Sequence, residues 1–261
     1  MGGKRIRGEI IHYCRDEYGE IFVADDGRMR SLYFGDGISQ SSIRLDRPEI
    51  LVDDYSHAMM SALLFKSDPG SVLLVGMGGC SLVHFIRAAF PGCTVDIVEL
   101  RNKVIDLAHD FFHLPREAPG IRIFHAAGED FIGQQSGADR YDLILVDAFD
   151  HGGPAAALLE VDFLAACRGR LNEKGIFSIN LWNRPQDNFP MIHLRLQEAF
   201  MNNTLKLLLS ESAQNAIVFG FDRPVRLRDL SGYRQKARTL QDRHAINFPK
   251  YLKHIYWQNY G

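Results

Sequence analysis

The stretch Tyr141-Asp142-Leu143-Ile144-Leu145-Val146 constrains this chain more than any other. Leu143 to Val146 is an unbroken aliphatic run with no polar face. It predicts a strand in the middle of a sheet covered on both sides, the setting of a parallel sheet flanked by helices. The run stops at Asp147, a second acid follows at Asp150, and His151-Gly152-Gly153-Pro154-Ala155 then turns the chain. Open α/β sheets bind ligands beyond the carboxyl ends of their strands. Two carboxylates at that place suit a cation, or the removal of a proton from an amine.

Similar apolar runs recur. Val72 to Val75, Thr94 to Glu99, Ile121 to His125 and Gly175 to Leu181 read as further strands, and Leu82 to Ala89, Lys103 to Phe112, Asp162 to Leu171 and Met191 to Phe200 as helices. Strands alternating with helices predict a parallel sheet wound on both faces. Leu205 to Ser210 and Ala216 to Phe221 have only a short turn between them, which predicts an antiparallel pair. The expected fold is α/β, an S-adenosylmethionine-type Rossmann fold. It has a mostly parallel sheet, an antiparallel C-terminal pair and helices on both faces, plus a small N-terminal β-hairpin domain.

That small domain is expected over residues 1–52, and the Rossmann-like main domain over 53–261. Glu20 to Ala24 and Met29 to Phe34 flank Asp25-Asp26-Gly27, a hairpin pattern. Hairpins of this size cannot bury a core alone, so the unit should pack on the main domain or on another subunit. Tyr55, Met59, Met60, Leu63 and Leu64 predict a helix from Asp53 to Phe65.

With 46% hydrophobic and 24% charged residues and a net charge of −2, the chain has no basic excess of the kind that marks nucleic-acid binding. Arg223, Arg226, Arg228, Arg234, Lys236 and Arg238 do gather, but Asp222 and Asp229 interrupt them, which reads as a solvated tail helix. Cys14, Cys80, Cys93 and Cys167 are too widely spaced for a disulfide framework or a zinc site. The N-terminus lacks an apolar signal core, and no apolar run approaches the roughly 20 residues that span a bilayer. A reduced cytoplasmic protein is expected, binding neither membrane nor nucleic acid.

Gly76-x-Gly78 follows the first main-domain strand and opens a helix, where glycine lets the backbone approach a ligand. The dinucleotide fingerprint requires a third glycine at 81, where Ser81 stands, so a nicotinamide or flavin dinucleotide is disfavoured. Glu99 ends the next strand, 23 residues after Gly76, where an acid can accept hydrogen bonds from both ribose hydroxyls. These features point to an adenosine-type ligand without naming a reaction.

Taken together, these residues resemble the polyamine aminopropyltransferases (spermidine synthases), and more closely their divergent spermidine synthase-like bacterial branch. Asp147-Ala148-Phe149-Asp150-His151-Gly152-Gly153-Pro154-Ala155 resembles the family's Asp-Ser-Ser-Asp-Pro-x-Gly-Pro-Ala loop, with both acids and the Gly-Pro-Ala in register. Asp36-Gly37-Ile38-Ser39-Gln40 resembles its Asp-Gly-x-x-Gln segment, Gly19 to Phe34 its N-terminal hairpin, and Asp54-Tyr55 to Met59 the helix that follows. The resemblance implies transfer of an aminopropyl group from decarboxylated S-adenosylmethionine to a diamine such as putrescine. It implies Asp147 as the base, with Asp150 and Tyr55 at the diamine and Gln40 contacting the donor. Gly76, Gly78, Gly79 and Glu99 would hold the donor, in a homodimer. No metal is expected, since a sulfonium is already a good leaving group.

The sequence departs from the family pattern at several points. Gly79 stands where the family has an acid for the donor's ammonium, Ala127 where it has an acid toward the adenine, and His151 where it has a proline. His57 replaces a frequent glutamate, and Ser212-Ala213-Gln214-Asn215 lies near the place of a missing late Pro-Ser-Gly-x-Trp segment. Two alternatives stay open: a small-molecule methyltransferase using intact S-adenosylmethionine, which Gly79 favours, and a non-catalytic nucleoside- or polyamine-binding homologue, which Ala127 favours.

Overall fold

The computed structural model describes residues 6–35, 37–134, 139–149, 153–184, 187–209, 214–225, 227 and 230–261. Asp36, Asp150, His151, Ser212 and Ala213 lie outside the described residues.

Four strands, β1 (Glu9–Asp16), β2 (Gly19–Asp26), β3 (Met29–Phe34) and β4 (Ile38–Arg44), form an antiparallel sheet in chain order. The expected hairpin is β2–β3. Asp26 faces Met29 across a Gly27-Arg28 turn, and Gly27 takes the left-handed φ of +62° that a tight hairpin turn needs. One face of the sheet, with Ile21, Val23 and Leu32, is fully buried, while Ile10 and Tyr13 of β1 are exposed. The buried face joins one continuous core with the main domain. The expectation that this unit packs on its neighbour is met within the chain.

The main sheet follows. Its strands are β5 (Ser71–Val75), β6 (Thr94–Glu99), β7 (Ile121–His125), β8 (Tyr141–Val146), β9 (Leu171–Trp182), β10 (Thr204–Leu208) and β11 (Asn215–Phe221), in the order β10-β11-β9-β8-β5-β6-β7. The pairs within β9-β8-β5-β6-β7 are parallel, and β11 runs antiparallel to both β9 and β10. This is the predicted layout, with β11 as the single reversed strand.

Burial on both faces explains the unbroken apolar runs. Along β8, Leu143 and Leu145 enter one core while Ile144 and Val146 enter the other; β5 divides its residues in the same way. Helices α1 (Asp54–Met60), α2 (Ser81–Ala89), α3 (Asn102–Asp110), α7 (Leu230–His244) and α8 (Phe248–Tyr260) contribute to the first core, with the N-terminal sheet. Helices α4 (Gly128–Gly133), α5 (Val161–Gly169) and α6 (Phe189–Ala199) contribute to the second. The helix expected from Asp53 to Phe65 is shorter: α1 tightens into a 3₁₀ turn over Ser61–Leu64. Among the described residues, no helix is long and apolar enough to cross a membrane.

Helix α8 covers the open edge of the main sheet. Asn259 accepts from the Lys206 N–H at 3.0 Å and donates to the Lys206 carbonyl at 2.8 Å; Gln258 does the same for Leu208 at 2.7 and 3.0 Å. Two side-chain amides thus stand in for a further strand beside β10.

Two arginines tie the N-terminal sheet to the main domain. Arg101 follows β6 and makes a bidentate bond to Asp16 at 2.7 and 2.9 Å, donates to the Gly19 carbonyl at 3.0 Å and stacks on Phe34. Arg30 pairs with Asp25 and reaches the Phe111 carbonyl at 2.8 Å. The Arg101–Asp16 pair is buried, so removing either partner strands a charge, at a cost of about 3–5 kcal/mol.

Candidate active site

Strands β5, β6, β7 and β8 all end at one edge, and a cavity of about 250 Å³ opens there. The first turn after β5 forms its floor. Gly76 has φ +84°, its N–H donates to the Val98 carbonyl at 2.8 Å, and a side chain there would run into the Asp147 carbonyl. Only glycine lets β5 and β8 close up at this point.

Glu99 lies in the wall and is only 7% exposed. One of its oxygens accepts from the Met77 N–H at 3.0 Å and the other from the Arg101 N–H at 2.9 Å. Burial raises its pKa, and these two hydrogen bonds oppose the rise. A carboxylate has about four lone-pair sites, so acceptor capacity remains beyond the two amides. The rest of the lining is largely apolar, with Val75, Val98, Leu100, Ala126, Ala148 and Leu158 in it. Tyr18 and Phe34 of the N-terminal sheet close one side. A cavity with small apolar walls, a glycine floor and one buried acid suits a nucleoside.

Of the sequence-predicted donor residues, Gly76, Gly78 and Glu99 line this cavity. Gly79 packs elsewhere. Its N–H donates to Ser41 Oγ, and a Cβ there would stand 2.8 Å from both Ser41 Oγ and the Phe112 ring. The turn has no space for the family's acid. Ala127 lines the cavity, and so does Glu129 from the first turn of α4, whereas Asp130 does not.

A second cavity of about 160 Å³ adjoins the first and shares Gln40, Asp147 and Phe149 with it. Ser39, Tyr55, Asn180, Trp182, Arg184, Gln214 and Asn215 complete it. Gln40, Tyr55 and Asp147, the expected substrate and catalytic residues, therefore stand together although they come from β4, α1 and the end of β8. Asp150, the fourth, lies outside the described residues. His57 bonds the Leu51 carbonyl at 2.9 Å, a structural contact.

Asp147 is held in place from two sides. Its N–H donates to the Val75 carbonyl at 2.9 Å, and its Oδ1 accepts from Asn180 Nδ2 at 2.9 Å. Asn180 is in turn fixed by Asn215, whose Nδ2 donates to Asn180 Oδ1 at 2.9 Å. The Tyr55 hydroxyl donates to the Gln40 carbonyl at 2.9 Å and sits beside Asp147. Burial pushes the Asp147 carboxyl up to about 6, opposed by Asn180 and assisted by the charge of Asp53. Asp53, whose Oδ2 accepts from the Ser42 N–H at 3.0 Å, is likewise pushed up to about 6 by burial. A carboxylate tuned toward neutrality is a better proton acceptor than a solvated one.

The sequence reading missed Asn180 and Asn215. A signal for Asn180 was present: it is a polar residue inside the apolar run Ile176 to Leu181 of a covered strand. Trp182 also lies at the cavity, with Phe149 on one side at 5.4 Å between ring centres and the Arg184 guanidinium 3.5 Å from its ring centre.

A family model described as the spermine/spermidine synthase domain matches residues 54–208. A polyamine aminopropyltransferase of Chromobacterium violaceum is 33% identical over 236 residues, covering 90% of this chain and 89% of the relative. An eEF1A lysine and N-terminal methyltransferase of Xenopus laevis is 29% identical over 209 residues, 66% of this chain but 30% of the relative. Among solved structures, a probable spermidine synthase from Corynebacterium glutamicum superposes with a TM-score of 0.74 at 19% identity, covering 89% of this chain and 87% of the other. The glycine turn, the strand-end acid and the paired cavities thus sit on a scaffold matched along almost its whole length, and the chain belongs to the spermine/spermidine synthase domain family.

Proposed function

We propose that this chain is an aminopropyltransferase that moves the aminopropyl group of decarboxylated S-adenosylmethionine to a diamine such as putrescine. The observation that carries the reading is Asp147: one carboxylate, held by Asn180 and pushed up to about 6, on the wall shared by a nucleoside-sized cavity and a smaller polar one. The larger cavity takes the adenosine part, with Glu99 on the ribose and Glu129 toward the base. The smaller cavity takes the amine, with Gln40 and Tyr55 beside it and Asp150 assisting.

The chemistry is a single displacement. The amine nitrogen attacks the aminopropyl carbon bonded to the sulfonium. The C–S bond breaks, its electron pair neutralises the sulfur, and methylthioadenosine leaves. The nitrogen's surplus proton passes to Asp147. Alignment of the two substrates across the shared wall supplies effective concentration, and the proton transfer about 10²–10⁴-fold. The exposed β1 surface with Ile10 and Tyr13 suits assembly as a homodimer.

A second reading, methyl transfer from intact S-adenosylmethionine, is favoured by Gly79, whose packing against Ser41 and Phe112 leaves no acid to repel the donor's carboxylate. One experiment separates the readings. Purified protein is mixed with each donor and putrescine, and the products are resolved. Methylthioadenosine from the decarboxylated donor is expected; S-adenosylhomocysteine from the intact donor, with no methylthioadenosine, would replace the first reading by the second.

A further inference from the structure

We propose that Arg184 determines acceptor length: it admits an amine with one remote ammonium and turns away a triamine. The inference rests on the aminopropyl-transfer reading and deepens it by naming a specificity residue.

The two cavities meet at Gln40, Asp147 and Phe149. From that wall a row of flat groups leads away from the nucleoside side: Phe149, then Trp182 at 5.4 Å, then the Arg184 guanidinium 3.5 Å from the Trp182 ring. Arg184 is held firmly. Its Nε and Nη2 donate to the two oxygens of Asp187 at 2.7 and 2.8 Å, and its backbone N–H donates to the same carboxylate at 3.0 Å. A guanidinium latched in bidentate fashion and stacked on an aromatic face is a rigid, always-charged wall.

Asp187 neutralises the pair at long range but does not line the cavity. An ammonium advancing along the cavity therefore meets the guanidinium before the carboxylate. The lining also offers neutral oxygens on Ser39, Gln214 and Asn215, which suit one ammonium. This cavity, at about 160 Å³, is smaller than the adjoining one of about 250 Å³. The third ammonium of spermidine would be forced against like charge, a juxtaposition that discriminates strongly.

The test compares putrescine with spermidine as acceptors, reading kcat/KM for methylthioadenosine release. The wild-type protein should prefer putrescine. Arg184→Gln should raise the spermidine-to-putrescine ratio by about tenfold, and Arg184→Lys, which restores the charge, should keep most of the discrimination. Equal use of both amines by the wild type, or an unchanged ratio in Arg184→Gln, overturns the proposal while leaving aminopropyl transfer intact. Calorimetric titration of both amines into protein saturated with methylthioadenosine gives a readout independent of turnover. If no donor supports turnover but putrescine outbinds spermidine and Arg184→Gln abolishes the difference, the transfer reading fails and the role of Arg184 stands. Equal binding of the two amines, or binding of neither, overturns it.

Discussion

The two adjoining cavities are built by different means. The larger cavity is made of strand ends: a glycine turn after β5, Glu99 at the end of β6, alanines after β7. Its one buried acid is clamped by backbone amides from residues 77 and 101, so main-chain geometry fixes it. The smaller cavity is made of side chains drawn from β4, α1, β9 and β11, and its acid is fixed by a side-chain amide that a second amide holds. The first is set by main-chain geometry that belongs to the fold. The second is adjustable residue by residue, and there Trp182 and Arg184 shape this chain's own site.

That contrast is open to direct attack. The largest effect is expected from Asp147→Asn. Turnover should fall at least about 10²-fold, while calorimetric affinity for methylthioadenosine stays within a few-fold; loss of both together would mean that the shared wall cannot be divided. Glu99→Ala should do the reverse. It removes the proposed contact to the ribose, leaving its hydroxyls unpaired, so methylthioadenosine affinity should drop about 10–100-fold, consistent with roughly 1–3 kcal/mol for an unsatisfied buried group. Unchanged affinity would deny Glu99 its part in the first cavity.

The smallest effect sharpens the second cavity. If Asp147 is the base, as proposed, it must be ionised, so kcat/KM should decline as pH falls through about 6, the value to which burial raises this carboxyl. Asp53 is raised to a similar value, so the limb reports the pair. Donation from Asn180 favours the ionised form of Asp147. Asn180→Ala should therefore move the limb to higher pH and cost a few-fold in rate at pH 7. A limb that stays in place would show that the Asn215–Asn180 chain does not tune the base.

How much of this was legible in the sequence follows the same division. The strands of the main sheet read clearly because burial on both faces leaves runs such as Leu143–Val146 without polar residues, and the positions at their ends, Gly76, Glu99 and Asp147, could be named from spacing. The acceptor side was less visible: Asn180 and Asn215 acquire a role only once β9 and β11 lie side by side. Strand β1 was missed because its apolar residues Ile10 and Tyr13 face outward while its inward positions are mixed. Helix α8 was missed although Asn247, which accepts from the Lys250 N–H at 3.1 Å, and Pro249 form a readable helix start. The separation of Gly79 from the cavity was not readable at all, since it depends on Phe112 and Ser41 arriving from distant parts of the chain.

The paired amides of Gln258 and Asn259 carry a consequence for how copies of this protein meet. A sheet normally stops being a template for neighbours only when its last peptide groups are engaged or hidden. Here the outward-pointing groups of Lys206 and Leu208 are already satisfied by the chain itself. The molecule cannot grow sideways from β10 without first giving up those bonds, which leaves self-association to surfaces elsewhere, such as the outer face of the N-terminal sheet.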